Sequence, residues 1–321
     1  MDQRTEARAR DRLPDQLQAR AFRLKDAVDL GVSRHQLNRL GLAKPARSLY
    51  AAVDSKDSIA ERARTWALIL PADAALYGKS AAELYDLPAP RAEDVHIIVP
   101  AGGTVPIRRS GLATHEGLPP DGWRYWEGLK VSTPLQVFMQ LATDLGRDDL
   151  VILGDTMVRQ GFTTPEELRA VTSSTRRRRG ILSARAAAAL VQYGVDSPPE
   201  TRVRLILIDG GLPCPETGVD IIDEYGGWIG RPDLSYLKYR LGVQYEGDIH
   251  RTNQKRWRAD IVRDERMLDA GWDIVRATGD DLRPVRHAEL CHRVWLRMAR
   301  QAERLGLPAP TSRSPRAARR H

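Results

Sequence analysis

The spacing of apolar positions changes several times along the chain, and each change marks an element. From Phe22 the stretch FRLKDAVDLGVSRHQLNRL places Leu24, Ala27 and Val28, then Val32, Leu37 and Leu40, at helical intervals broken by Gly31-Val32-Ser33. That break predicts helix, tight turn, helix, with Ser33 capping the second helix and Gly31 opening the turn. The following AKPARSLYAA predicts a short strand pair. Residues 1–19 are polar, mixed in charge and poor in leucine, so they predict a frayed or disordered lead-in.

Between 54 and 175 the two periods alternate. SIAERARTWALIL and KSAAELYDLP read as amphipathic helices, VHIIVP as a buried strand, and GLATHEG and LKVSTP as further strands. PLQVFMQLATDL is a helix opened by Pro134 after Thr133, and TTPEEL starts another. The run Arg176-Arg177-Arg178-Arg179-Gly180 predicts a boundary, with 176–182 as a linker. Beyond it lies the Ala-rich helix SARAAAALVQYG, then SPPETRVRLILIDGG, a helix with Ser197 as cap, Pro198 just inside, Glu200 three residues on and Gly210-Gly211 as its stop. Three strands follow, TGVDIID, WIGRPDLSY and RLGVQYEG, then a charged helix from Gln254 to Ala270, the strand WDIVRAT and a last helix from about His287 to Leu305. The expectation is an α/β multidomain protein. It comprises a winged helix-turn-helix over 20–53, a mixed α/β domain over 54–175, an α-β-β-β-α-β domain over 183–306 and a disordered basic tail over 307–321.

A length of 321 residues implies two or three cores and excludes a single small module. The net charge of +8 is unevenly spread: +5 over 1–53, −5 over 54–175 and +8 over 176–321. A polyanion partner therefore belongs to the ends of the chain, not to its middle. In the last segment Arg176 to Arg179 and Arg313, Arg316, Arg319 and Arg320 carry the surplus, and the fold between them is close to neutral. Two cysteines, Cys214 and Cys291, exclude a disulfide framework and a thiolate zinc site. Nothing reads as a signal peptide or a membrane-spanning run, so the expected setting is cytoplasmic, with no membrane partner.

Candidate chemistry concentrates in two places. Gln244 and Glu246 are two apart on one strand and share a face, and pairing through the short Lys238-Tyr239 turn would set Asp233 across from them. Two carboxylates at close range repel unless a cation lies between them, and oxygen-only ligands suit Mg²⁺ or Mn²⁺, which can polarise a phosphoryl oxygen. Arg258, Arg263 and Arg266 on the charged helix could face such acids and neutralise a phosphate, or form a solvated face. Glu200 also completes a capping box with Ser197, and Asp233 after Pro232 could simply end a strand. The second place is the N-terminal helix pair. Between Ser33 and Ser48 the charged residues are Arg34, Arg39, Lys44 and Arg47 with no acid, and Arg34, Gln36, Asn38, Arg39 and Arg47 are the candidate contacts to duplex DNA. In the middle region His96 and His115 stand singly.

Pro232-Asp233 and Gln244-Tyr245-Glu246, on the α-β-β-β-α-β order, resemble the PD-(D/E)xK nuclease superfamily. GRPDLSYLKYRLGVQYEGDIHR and RDERMLDAGWDIVRAT are similar to its very-short-patch-repair-like endonucleases. The resemblance implies a restriction-endonuclease-like fold and a Mg²⁺ or Mn²⁺ cofactor. It makes Asp233 and Glu246 metal ligands and catalytic carboxylates, Gln244 a member of the site, His250 a group that handles a proton or phosphate, and Glu200 the superfamily's helix glutamate. The superfamily's lysine is absent: Glu246 occupies its place, and Gln244 stands where an acid is usual. GVSRHQLNRL, ARSLYAA, KSAAELYDLP, VHIIVP and LKVSTPLQVFMQLA resemble the AbiEi-type antitoxins. That resemblance implies a winged helix that binds double-stranded DNA and represses its own operon, with a cognate toxin or a second protomer as partner. Two functions stand side by side: a metal-dependent DNA endonuclease, or an antitoxin-like repressor whose nuclease-like domain is inactive.

Overall fold

The computed structural model describes residues 13–18, 21–51, 58–104, 109–247 and 265–310. The chain forms two units, Met1–Asp144 and Leu145–His321. In the first, a helical turn at Asp15–Gln18 precedes β1 (Phe22–Arg23), the helices Leu24–Asp29 and Arg34–Arg39, and the strands β2 (Ala43–Ala46) and β3 (Leu49–Ala51). β3 pairs antiparallel with both β1 and β2. The helices part where the glycine and serine predict. Gly31 takes a φ of 80°, and Ser33 Oγ accepts from the Gln36 N–H at 3.3 Å while Gln36 Oε1 accepts from the Ser33 N–H at 2.7 Å. Leu17, Phe22, Ala27, Leu37, Leu42 and Tyr50 close a small core, with the Phe22 and Tyr50 rings stacked 5.9 Å apart.

The remainder of the first unit is a five-stranded sheet built from β4 (Ala75–Leu76), β5 (Val95–Val99), β6 (Leu112–Glu116), β7 (Trp123–Trp126) and β8 (Leu129–Ser132). Their spatial order is β6-β5-β4-β8-β7. Three helices, Ile59–Ala67, Gly78–Leu84 and Pro134–Leu141, accompany it. VHIIVP is a buried strand as expected, whereas β4 and β7 are strands that the pattern does not predict. Two residues are too few to show a period, and the WRYW of β7 has no apolar–polar alternation to betray it.

In the second unit the helices Arg147–Arg159 and Pro165–Ser174 join Ile181–Ala188 and Pro198–Asp209. The division of the chain thus falls between Asp144 and Leu145, ahead of the boundary expected at the arginine run. Arg176 to Arg179 instead form the connection between two helices of one unit. Arg185 clamps that connection, donating to the Thr172 carbonyl at 2.9 Å and the Thr175 carbonyl at 2.8 Å. Deeper inside, Asp155 and Arg204 form an ion pair of 2.6 Å at 2% and 0% side-chain exposure, which ties Arg147–Arg159 to Pro198–Asp209.

After these helices come β9 (Glu216–Thr217), β10 (Ile221–Ile222), β11 (Trp228–Gly230), β12 (Leu234–Tyr236), β13 (Leu241–Glu246) and β14 (Asp273–Thr278), then the helix His287–Arg304. The expected strands TGVDIID and WIGRPDLSY are each broken in two. Gly218, at a φ of 66°, ends β9, and Pro232, which has no N–H to give a ladder, separates β11 from β12. The outer pieces β10 and β11 pair with each other, while the inner ones form a sheet in the order β14-β13-β12-β9. β13 and β14 run parallel, and the other pairs are antiparallel. One face of this sheet, Leu234, Tyr236, Leu241, Val243, Val275 and Ala277, packs with Val203, Ile206 and Leu207 and with Leu290, Val294 and Met298 of the flanking helices. Each such aliphatic side chain contributes about 1.5–3 kcal/mol on burial, so this face anchors the register of the whole sheet. Among the described residues no helix is long and apolar enough to cross a membrane.

Candidate functional site

Side chains alternate along a strand, so the face opposite this core is fixed by the same register. Leu234 pairs with Val243, which sets Asp233 level with Gln244 and Glu246 one step further along. On the other flank Gln244 pairs with Arg276 and Glu246 with Thr278. Asp233, Gln244, Glu246 and Arg276 therefore share one face of the sheet. The strand register places the expected Asp233, Gln244 and Glu246 on the same sheet face. Arg276, which no local pattern singles out, joins them from β14.

The backbone N–H of Tyr245 donates to Asp233 Oδ2 at 2.7 Å and holds that carboxylate against β13. The Glu246 carboxylate is ion-paired with the Arg276 guanidinium, both partly exposed. Among the described residues this face carries two carboxylates and one guanidinium. Ser235 lies on the same face, is buried, and its Oγ has no hydrogen-bond partner among the described residues. Among the described residues the possible donors on this face are oxygens: two carboxylates and the Gln244 amide. That chemistry fits Mg²⁺ or Mn²⁺, which take one or two carboxylates and complete their shell with carbonyls and water. Among the described residues no group of three or more His, Cys, Asp or Glu side chains is placed to hold a metal.

Glu200 is used differently. Its Oε2 accepts from the Asp196 N–H at 2.9 Å and its Oε1 from Ser197 Oγ at 2.7 Å, so both oxygens serve the turn that opens its own helix. Burial pushes this carboxyl above the usual glutamate range. Ser197 itself makes no side-chain cap bond, so the capping box expected of Ser197 and Glu200 is not formed, although both carboxylate oxygens are engaged at the helix start. Arg266 lines a groove with Trp228, Arg240 and Trp272, and neither Asp233 nor Glu246 is among the described residues of its walls. His250 and Arg263, together with Asp248 and Arg258, lie outside the described residues.

Arg34, Asn38 and Arg39 of the helix Arg34–Arg39, Lys44 of β2 and Arg47 between β2 and β3 are exposed. Gln36 is also exposed, and its amide oxygen accepts from the Ser33 N–H in the capping box. Asn38 Oδ1 accepts from Lys44 Nζ at 2.6 Å, linking the helix to β2. Exposed guanidinium and ammonium groups over a small rigid core suit phosphate contacts, and Arg39 stands in the last turn of its helix.

His96 and His115 are single in sequence but adjacent in space. β5 and β6 run parallel with His96 level with Ala113, so His115 falls on the same face. His96 Nδ1 and His115 Nε2 lie 3.1 Å apart, and the His115 ring stacks on Tyr77 at 3.9 Å. Burial holds both imidazoles below their ordinary pKa, and Lys79 lowers His96 further against the pull of Asp94 and Asp144. Only the strand pairing, invisible in the local sequence, brings these rings together.

No protein-family model matches the chain. Two uncharacterized proteins of Mycobacterium tuberculosis, from strains CDC 1551 and H37Rv, are each 27% identical to it over 204 residues, 64% of this chain and 74% of theirs. Among solved structures, that of the RV2827C protein from Mycobacterium tuberculosis matches at 19% identity with a TM-score of 0.38, over 62% of this chain and 78% of its own.

Proposed function

We propose that this chain is a DNA-binding protein whose second unit hydrolyses phosphodiester bonds with the help of Mg²⁺ or Mn²⁺, in a defence, repair or toxin–antitoxin setting. The observation that carries the reading is the shared sheet face of Asp233, Gln244 and Glu246, set by the Leu234–Val243 register. Asp233 and Glu246 would hold the cation, which when bound polarises the phosphate and acidifies water. Asp233 is kept in place by the Tyr245 N–H, and Gln244 offers an amide to orient water or a phosphate oxygen. In the reaction a water oxygen forms a bond to phosphorus as one ester P–O bond breaks. The proton that water loses is balanced by the one the departing alkoxide gains, and His250 is the residue expected from the sequence to handle it. The helix pair with its β2–β3 hairpin is read as a winged helix that holds duplex DNA through Arg34, Arg39, Lys44 and Arg47.

The test is incubation of supercoiled plasmid with Mg²⁺ or Mn²⁺, wild type beside Asp233→Ala. Metal-dependent nicking by the wild type that Asp233→Ala loses supports the reading. No nicking by the wild type of any duplex tried, with duplex binding retained, overturns it. A second reading, an AbiEi-like antitoxin or repressor with a silent nuclease-like unit, is favoured by the Glu246–Arg276 pair, which already neutralises one carboxylate of the site. Its signature is tight binding upstream of the chain's own coding sequence, with a cognate toxin or second protomer as partner and no cleavage.

A further inference from the structure

Among the described residues of the acid face, Arg276 is the one that is neither apolar nor an oxygen donor. It sits in the middle of β14, level with Gln244 in the parallel ladder, and its guanidinium is paired with Glu246. A pair this exposed adds little to the stability of a fold, and the register of β14 is already set by Val275 and Ala277 on the apolar face. The Glu246 pair alone therefore gives the sheet little reason to carry a charge at 276. A phosphate approaching Asp233 and Glu246 meets two carboxylates, and β13, LGVQYE, carries no Lys or Arg. Arg276 is the cation that the neighbouring strand brings to the same face. Its planar fork can accept a carboxylate or a phosphate in the same bidentate manner, and it stays protonated throughout, so it exchanges partners without taking part in proton transfer.

We propose that Arg276 is the site's own phosphate-binding cation: it holds Glu246 while the metal is absent, and turns to a non-bridging oxygen of the scissile phosphate when a divalent cation takes the Glu246 carboxylate. The inference rests on the endonuclease reading above. It gives Arg276 two effects of opposite sign, which a structural ion pair would not have. As a competitor for Glu246 it weakens metal binding, and as a phosphate ligand it speeds hydrolysis.

The experiment measures Mn²⁺ binding to the full chain by titration calorimetry, without DNA, for wild type, Arg276→Gln and Arg276→Lys, and then single-turnover plasmid cleavage at saturating Mn²⁺. Arg276→Gln is expected to bind Mn²⁺ about 3-fold more tightly, the scale of an exposed ion pair. It should cleave about 100-fold more slowly, the scale of losing one transition-state donor. Arg276→Lys should fall between the two in both measurements, because it keeps the charge and loses the fork. Cleavage by Arg276→Gln within about 3-fold of wild type, or Mn²⁺ binding no tighter than wild type, overturns the proposal and leaves the endonuclease reading intact, since wild type still cleaves and Asp233→Ala does not. A wild type that neither binds Mn²⁺ nor cleaves overturns both.

Discussion

Asp155→Ala should be among the most damaging single substitutions in the second unit, and the structure sets the scale. Asp155 Oδ2 accepts from Arg204 Nη2 at 2.6 Å and from Thr201 Oγ1 at 2.7 Å, and Oδ1 accepts from the Gln192 N–H at 3.0 Å. Arg204 has one further partner, the Leu190 carbonyl at 2.6 Å, while its Nε is buried without a partner among the described residues. Removing the carboxylate leaves a guanidinium at 0% exposure with no counter-charge in this network, a loss of about 3–5 kcal/mol. The pair as a whole is a different matter. Burial pushes the Asp155 carboxyl up despite the guanidinium beside it, which is the direction expected when desolvation outweighs attraction. Replacing both partners, Asp155→Leu with Arg204→Met, should therefore recover stability to within about 1 kcal/mol of wild type or exceed it. A chain of two units does not give one two-state transition, so the assay is hydrogen exchange by mass spectrometry on peptides from Pro198–Asp209, read as the free energy of opening. A loss below about 1 kcal/mol for Asp155→Ala, or a double variant less stable than the single one, would refute the argument from buried charge.

The remaining predictions concern the first unit. His96 and His115 bind protons less readily in the folded than in the unfolded chain, so the stability they support is complete above the ordinary imidazole pKa and declines as pH falls from there through their lowered folded values. Across that window each histidine changes stability by about 1.4 kcal/mol per pH unit; thermal unfolding at successive pH values should show the decline in wild type and a smaller one in His96→Phe, and equal declines would reject it. Arg39→Ala should weaken duplex binding on every sequence alike and lower the salt slope by about one unit for each phosphate that the side chain neutralises, whereas unchanged binding would remove this helix from the interface. Gln36→Ala should lower the stability of the helix pair by about 1 kcal/mol through its cap, with base preference unaltered in a binding selection, because its amide oxygen is engaged by Ser33.

The parts of this molecule that are legible in the sequence are those determined within a few residues. Ser33 announces a helix start because a cap acts within three residues, and Gln244 and Glu246 announce a shared face because a strand repeats every two. Asp233 joins them through a turn short enough to set its own register, the Leu237–Tyr239 turn closed by Arg240 in a left-handed conformation. What escapes depends on pairing over longer separations. Arg276 reaches the acid face across a parallel ladder 30 residues away, Asp155 meets Arg204 across 49, and His96 meets His115 across 19. The consequence for function is specific. Local period alone yields an acid-lined face, whereas the non-local ladder adds a cation to it. Under the endonuclease proposal, the paired measurement of Mn²⁺ affinity and cleavage in Arg276→Gln tells whether that cation serves Glu246 or the phosphate.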